Sequence, residues 1–292
     1  MKSHTEQNPK NSRAIAQLGE SYRLMKRYSE ALGEFNRAIE LNSDYAWAMA
    51  HRGETYCLMN RYFEALADFN QAIELNPDYA WAYAHRGDTY RLMTRNAEAL
   101  ADLNRAIELT PDYAWAYACR CLSYEQMKRY KEALVDFDRT IALDETIFSV
   151  WRSDRGLLLS YCGRYAEAIE YCQQWLNQEN EETHLIRYSL AVAKACEQGR
   201  AEAQAEIDKA RAALQAMVNM DTGGAVLYRL GGLAALEGKA DQALHYLQKA
   251  LLLRGSRFET ARHDPAWRDL RTDPRFQSLI SDNTGVTSSP SN

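Results

Sequence analysis

Several classes of function are excluded by what this sequence does not contain. No apolar run approaches the ~20 residues that would span a membrane. The opening stretch, MKSHTEQNPK, has no apolar core, and the expectation is that it is not a secretory signal. Positive charge is not in surplus: the net charge is −5, so no basic field draws the chain to nucleic acid or to an anionic membrane surface. There is no Gly-rich phosphate loop, no GxSxG and no HExxH, and the chain is read as non-enzymatic. The six cysteines, Cys57, Cys119, Cys121, Cys162, Cys172 and Cys196, contain no CxxC pair. Reduced thiols in a cytoplasmic compartment are the simplest reading. Cys119 and Cys121 stand two apart in an expected helix, where side chains diverge, and are not read as a redox pair.

What the sequence does contain is repetition. Residues 45–78, YAWAMAHRGETYCLMNRYFEALADFNQAIELNPD, are followed by residues 79–112, YAWAYAHRGDTYRLMTRNAEALADLNRAIELTPD. Gly53 and Gly87 correspond, as do Tyr56 and Tyr90, Ala65 and Ala99, Ala72 and Ala106, and Pro77 and Pro111. An earlier copy shows Ile15, Leu18, Gly19, Tyr22, Ala31, Phe35 and Ala38 at three- and four-residue spacing, the period of two amphipathic helices. A later copy keeps Tyr124, Ala133 and Phe137 but has Cys121 for the glycine and Glu145 for the proline. Asn76-Pro77-Asp78 and Thr110-Pro111-Asp112 each stop one helix and lead into the next. A single helical hairpin cannot bury its apolar face, so the copies must stack.

Tyr83, Arg86-Gly87, Tyr90, Ala99, Leu103, Ala106 and Pro111 resemble the tetratricopeptide repeat, and four copies agree in register over residues 12–147. The resemblance implies an all-α, right-handed α-solenoid of about seven helix–turn–helix repeats with a C-terminal helical cap. Residues 1–11 are expected to be a flexible tail and 12–147 four regular repeats. Residues 148–217 follow as two degenerate repeats, 218–255 as a seventh, 256–280 as a cap, and 281–292 as a disordered tail. Within the cap, Asp264-Pro265 and Asp273-Pro274 are two helix starts. Trp267, Leu270, Phe276 and Ile280 are expected to cover the last repeat's apolar edge.

In that family the first helix of each repeat lines a groove. The matching positions give a tryptophan row, Trp47, Trp81 and Trp115, and a second row, His51, His85 and Cys119. An acidic row of Glu20, Glu54 and Asp88 ends at Leu122; Arg23, Cys57, Arg91 and Glu125 lie one turn on. The peptide-binding set is therefore Trp47, His51, Glu54, Trp81, His85, Asp88, Arg91, Trp115, Cys119 and Glu125. Three half-exposed indoles offer about 300 Å², at the lower limit of what marks a binding patch. The rival reading folds the rings over to pack between neighbouring repeats. Rungs on adjacent helices stand ~8–10 Å apart, whereas zinc needs donors within ~2.3 Å, so no metal and no cofactor is expected. Hydrogen bonding or pH-sensitive contacts suit the histidines better.

Arg52, Arg86 and Arg120 stand where the family usually has leucine. A ladder of ion pairs to Asp68, Asp102 and Asp136, or to Glu64, Glu98 and Glu132, is expected over a row of anion-binding arginines. Chaperone-tail binders of the family clamp a carboxylate with lysine, asparagine and arginine. This chain has Ala16, Glu20, His51, Trp81 and His85 at those positions, or Ala50, Glu54, His85, Trp115 and Cys119 one repeat on. A carboxylate-clamp chaperone adaptor is therefore not expected. The leading expectation is a protein–protein interaction adaptor or scaffold holding a partner's peptide segment, with no nucleic acid and no membrane. A structural spacer or self-assembly element is the alternative.

Overall fold

The computed structural model describes residues 9–147, 152–176, 183–254 and 261–281. The tails expected at the two termini therefore lie largely outside the described residues, as does the start of the expected cap, 256–260. All regular structure among the described residues is helical.

The helices come in pairs. They are α1 (Pro9–Leu24) with α2 (Tyr28–Leu41), α3 (Ala46–Leu58) with α4 (Tyr62–Leu75), α5 (Ala80–Leu92) with α6 (Asn96–Leu109), and α7 (Ala114–Gln126) with α8 (Tyr130–Leu143). Next come α9 (Arg152–Tyr161) with α10 (Tyr165–Leu176), α11 (Thr183–Glu197) with α12 (Arg200–Met217), and α13 (Ala225–Leu236) with α14 (Ala240–Arg254). A short 3-10 turn (Pro265–Leu270) and α15 (Pro274–Ser281) close the described chain. This is the all-α solenoid class of helix pairs with a helical cap.

One backbone device makes six of the seven described hairpins. Lys26, Asn60, Thr94 and Lys128 sit at the same turn position with φ of 59–60°, and Gly163 and Gly238 take that position with φ of 74° and 78°; Gly199, at φ 94° and ψ 169°, is instead the residue that caps the start of α12. The left-handed residue lets its own amide and the next one turn back onto the finished helix. Thr94 N–H donates to the Arg91 carbonyl (2.9 Å) and Arg95 N–H to the Tyr90 carbonyl (2.8 Å). That closes the first helix as a Schellman motif and starts the second.

Two compact units divide the chain: residues 1–127 with 135–147, and residues 128–134 with 148–292. In the first, small residues permit close helix crossings. A Cβ added to Gly87 would lie 2.8 Å from Leu103 Cγ and 3.2 Å from the Ala99 carbonyl. Phe35, Phe69, Leu103 and Phe137 fill one repeat position and are fully buried. First helices of successive pairs also touch, α1 with α3, α3 with α5, and α5 with α7.

In the second unit, α11 packs on α12, α13 on α14, and the 3-10 turn on α13. Asp264 caps that turn, accepting hydrogen bonds from Ala266 N–H (2.9 Å) and the Tyr228 hydroxyl (2.8 Å). Asp273 accepts from Arg275 N–H at 2.8 Å and caps α15. Trp267, Leu270, Phe276 and Ile280 are buried against Leu230 and Leu233. No helix among the described residues is long and apolar enough to cross a membrane.

Candidate functional site

Helix periodicity places the groove residues. Residues four apart share a face, so α3 sets Trp47 above His51, α5 sets Trp81 above His85, and α7 sets Trp115 above Cys119. The tryptophan and histidine rows do not stay separate; they interleave into one column of rings. Trp47 lies 4.0 Å from His51, His51 4.4 Å from Trp81, Trp81 3.8 Å from His85, and His85 5.9 Å from Trp115, centroid to centroid. The three contacts from His51 onward are stacked, at 23–27° between planes. Tyr45 and Tyr79 stack beside Trp47 and Trp81 at 5.9 and 6.0 Å. The rings thus pack between repeats and still keep an open side: Trp47 and Trp81 are half-buried, and Trp115 is 38% exposed. Cys119 takes no part in the column; it is buried beside Ala84 and Ala116.

A charged network flanks the column. Arg23 on α1 holds Glu20 through two hydrogen bonds, 2.7 and 2.6 Å, and reaches Glu54 on α3 at 3.0 Å. His51 Nδ1 stands 3.2 Å from Glu20 and 3.7 Å from Glu54. On α5, Arg91 holds Asp88 at 2.8 Å. Burial works to raise the Glu20 pKa, but the Arg23 and His51 contacts prevail and bring it down to about 2. Burial pushes Glu54 up to about 7; Arg23 opposes this and Glu20 adds to it. Burial between the indoles, with His51 and Arg23 nearby, brings His85 down to about 3. His85 is therefore a neutral ring over the ordinary pH range, which corrects the expectation of a pH-sensitive contact there. Burial also raises the Cys119 thiol well above its usual range, so it is not a ready thiolate. Cys121 donates to Glu125 at 3.6 Å.

Behind the groove the arginines form a ladder. Arg52 pairs with Asp68 (2.7 and 2.6 Å), Arg86 with Asp102 (2.6 and 2.7 Å), and Arg120 with Asp136 (2.7 and 2.8 Å). Each also reaches back to an asparagine of the preceding pair, Asn36, Asn70 or Asn104, at 2.7–2.8 Å. These guanidiniums are fully engaged, so they do not make an anion-binding row. Glu64, Glu98 and Glu132 pair instead with Arg61, Arg95 and Arg129 at the hairpin turns, at 2.7–2.8 Å. Among the described residues no group of three or more His, Cys, Asp or Glu is placed to hold a metal ion.

Sequence reasoning found the rows but not their interleaving, and missed Tyr45, Tyr79 and the bridge from Arg23 to Glu54. The available signal was the Trp-x-x-x-His spacing, which puts both rings on one helical face. The bridge joins residues 31 apart and left no local trace.

Two family profiles match the first part of the chain. One, described as TPR repeat, matches residues 53–93 and 87–128; the other, described as Tetratricopeptide repeat, matches residues 12–45. Curated protein sequences gave no match. Solved structures similar to this chain include a tetratricopeptide repeat protein from Parabacteroides merdae, at 15% identity and TM-score 0.62, covering 94% of this chain and 100% of that one. Another is pilF of Pseudomonas aeruginosa, at 19% identity and TM-score 0.58, covering 70% and 92%. A third is YrrB, described as a TPR protein with an unusual peptide-binding site, at 21% identity and TM-score 0.55, covering 72% and 96%. At these identities the likeness is one of fold.

Proposed function

This chain is a tetratricopeptide-repeat protein, and on that premise we propose that it is a non-enzymatic, cytoplasmic adaptor. Its groove along α1, α3, α5 and α7 holds a peptide segment of another protein. The observation that supports this reading is the Trp47–His51–Trp81–His85–Trp115 column. Its rings are pre-stacked, so a ligand meets a rigid apolar wall and little side-chain entropy is lost on binding. Glu54, Asp88, Arg91 and Glu125 edge the wall, with Cys119 buried behind it. We assign residues 12–147 to this role and 256–280 to a cap. Arg23 and Arg91 are taken up by carboxylates, which argues against a chaperone-tail clamp.

The test is the triple variant Trp47→Ala/Trp81→Ala/Trp115→Ala in a pull-down from native lysate. Loss of partner capture with helical content retained supports the reading. Undiminished capture by a folded triple variant rejects it.

A second reading has an observation of its own. Leu24 (68%), Met25 (66%), Leu58 (47%), Leu92 (40%) and Met127 (38%) are exposed where successive first helices end. Such a row suits self-assembly, the structural alternative. Monomeric light scattering at high concentration would count against it.

A further inference from the structure

We infer that the first end of the groove is an anchor pocket for an aromatic side chain of the partner segment with an acidic residue beside it. The ring lies on the open face of Trp47 and the carboxylate meets Arg13. This rests on the groove reading above and names the residue pair by which the segment is held.

The repeats themselves show what this pocket lacks. By the 34-residue period, Arg13 and Gln17 on α1 hold the positions of Trp47 and His51 on α3, and of Trp81 and His85 on α5. Between α3 and α5 that pair of rings closes the space over the next tryptophan: His51 stacks on Trp81 at 4.4 Å and 23°. Between α1 and α3 the same space has no ring, because α1 offers an arginine and a glutamine there. The column therefore ends on Trp47, and a cavity of about 430 Å³ opens, lined by Ser12, Arg13, Gln17, Asn42, Tyr45 and Trp47. That volume is in the range of small-ligand sites.

The wall of the pocket is already set. Tyr45 stacks beside Trp47 at 5.9 Å, and Phe35 meets it edge-on at 6.3 Å. An incoming ring gains stacking and apolar burial without having to order the indole. Charge then selects the neighbour of that ring. Arg13 is exposed and makes no ion pair among the described residues. Arg23 and Arg91, by contrast, are engaged by Glu20, Glu54 and Asp88. A guanidinium pairs with a carboxylate through two parallel hydrogen bonds.

Other occupants fit less well. A lysine or arginine would be repelled by Arg13. An aliphatic side chain cannot reproduce the flat contact that a ring makes in the next copy. A nucleobase would stack on Trp47, but a phosphate strand needs a run of cations, and beyond Arg13 the groove's arginines are engaged.

The test is a display selection of randomised twelve-residue peptides on the full chain, run beside the triple tryptophan variant and the double variant Arg13→Trp/Gln17→His. The double variant writes the next copy's ring pair onto α1 and fills the pocket from within. Peptides retained by the unaltered chain but not by the filled one should carry Phe, Tyr or Trp next to, or next but one to, Asp or Glu. Replacing that ring by alanine should weaken binding at least about tenfold. Replacing the acid by its amide, or Arg13→Gln, should weaken it about threefold, and added salt should weaken it too. The altered peptides and Arg13→Gln carry the test even if the filled variant misfolds. Tryptophan-dependent peptides held equally by the filled variant, or lacking the ring–acid pair, would overturn the inference and leave the groove reading intact. A single-stranded oligonucleotide lost on filling the pocket would overturn the inference in favour of a nucleobase. No tryptophan-dependent retention of any peptide would overturn both.

Discussion

The guanidinium of Arg86 closes on the carboxylate of Asp102 through two hydrogen bonds, 2.6 Å from Nε and 2.7 Å from Nη2, while Nη1 reaches Asn70 at 2.7 Å. Three helices are tied by one side chain. Asp102 is buried, so Arg86→Leu strands a carboxylate and should cost about 3–5 kcal/mol. Adding Asp102→Ala removes the stranded charge and should restore most of the loss. Chemical denaturation of both variants checks this, and peptide binding should not change. Lost binding with unchanged melting would return the arginines to an anion-binding role.

Thr94 holds φ at 59°, where a β-branched residue is strained. Its counterparts Gly163 and Gly238 carry no such strain. Thr94→Gly should stabilise the chain by about 1 kcal/mol, the larger flexibility of unfolded glycine offsetting part of the relief. A urea midpoint that moves down instead would show that Thr94 makes a compensating contact.

Glu54 should make stability depend on pH near neutrality. Its folded pKa of about 7 lies above the ordinary 4.5, so the folded chain holds this proton more tightly than the unfolded chain. The resulting stabilisation is full below about pH 4.5 and is lost as pH rises through about 7. Glu20, lowered to about 2, and His85, lowered to about 3, act in the opposite sense at lower pH. Glu20, Arg23 and His51 face the group. Melting temperature should therefore fall from pH 6 to 8.5, and Glu54→Gln should flatten that fall. An equal slope in the variant would assign the titration elsewhere.

Trp267 is fully buried, 5.6 Å from Phe276 and 5.4 Å from Tyr228. Its ring fills the space that a Cβ on Gly231 would enter, at 2.6 Å. Trp267→Ala should cost about 3–5 kcal/mol. A loss under 1 kcal/mol, read from denaturant unfolding, would mean the cap contributes little to the second unit's core.

Much of the fold was legible because a helical repeat writes its contacts locally. Ala99, Leu103 and Ala106 recur at three- and four-residue spacing, and the 34-residue period sets which helix meets which. The turn residues were less legible. Lys26, Asn60, Thr94 and Lys128 resemble ordinary polar residues, and only the backbone shows that they hold the position glycine takes in later pairs.

The sequence by itself determined the helix pairs, their stacking and the residue types along the groove, because amphipathic period and small-residue positions are local properties. Only tertiary structure decided that two rows merge into one stacked column, that aspartate rather than glutamate answers each ladder arginine, and that Glu54 rather than His85 titrates near neutrality. Those outcomes depend on ring orientation, burial and charge across separate helices, which no spacing along the chain records.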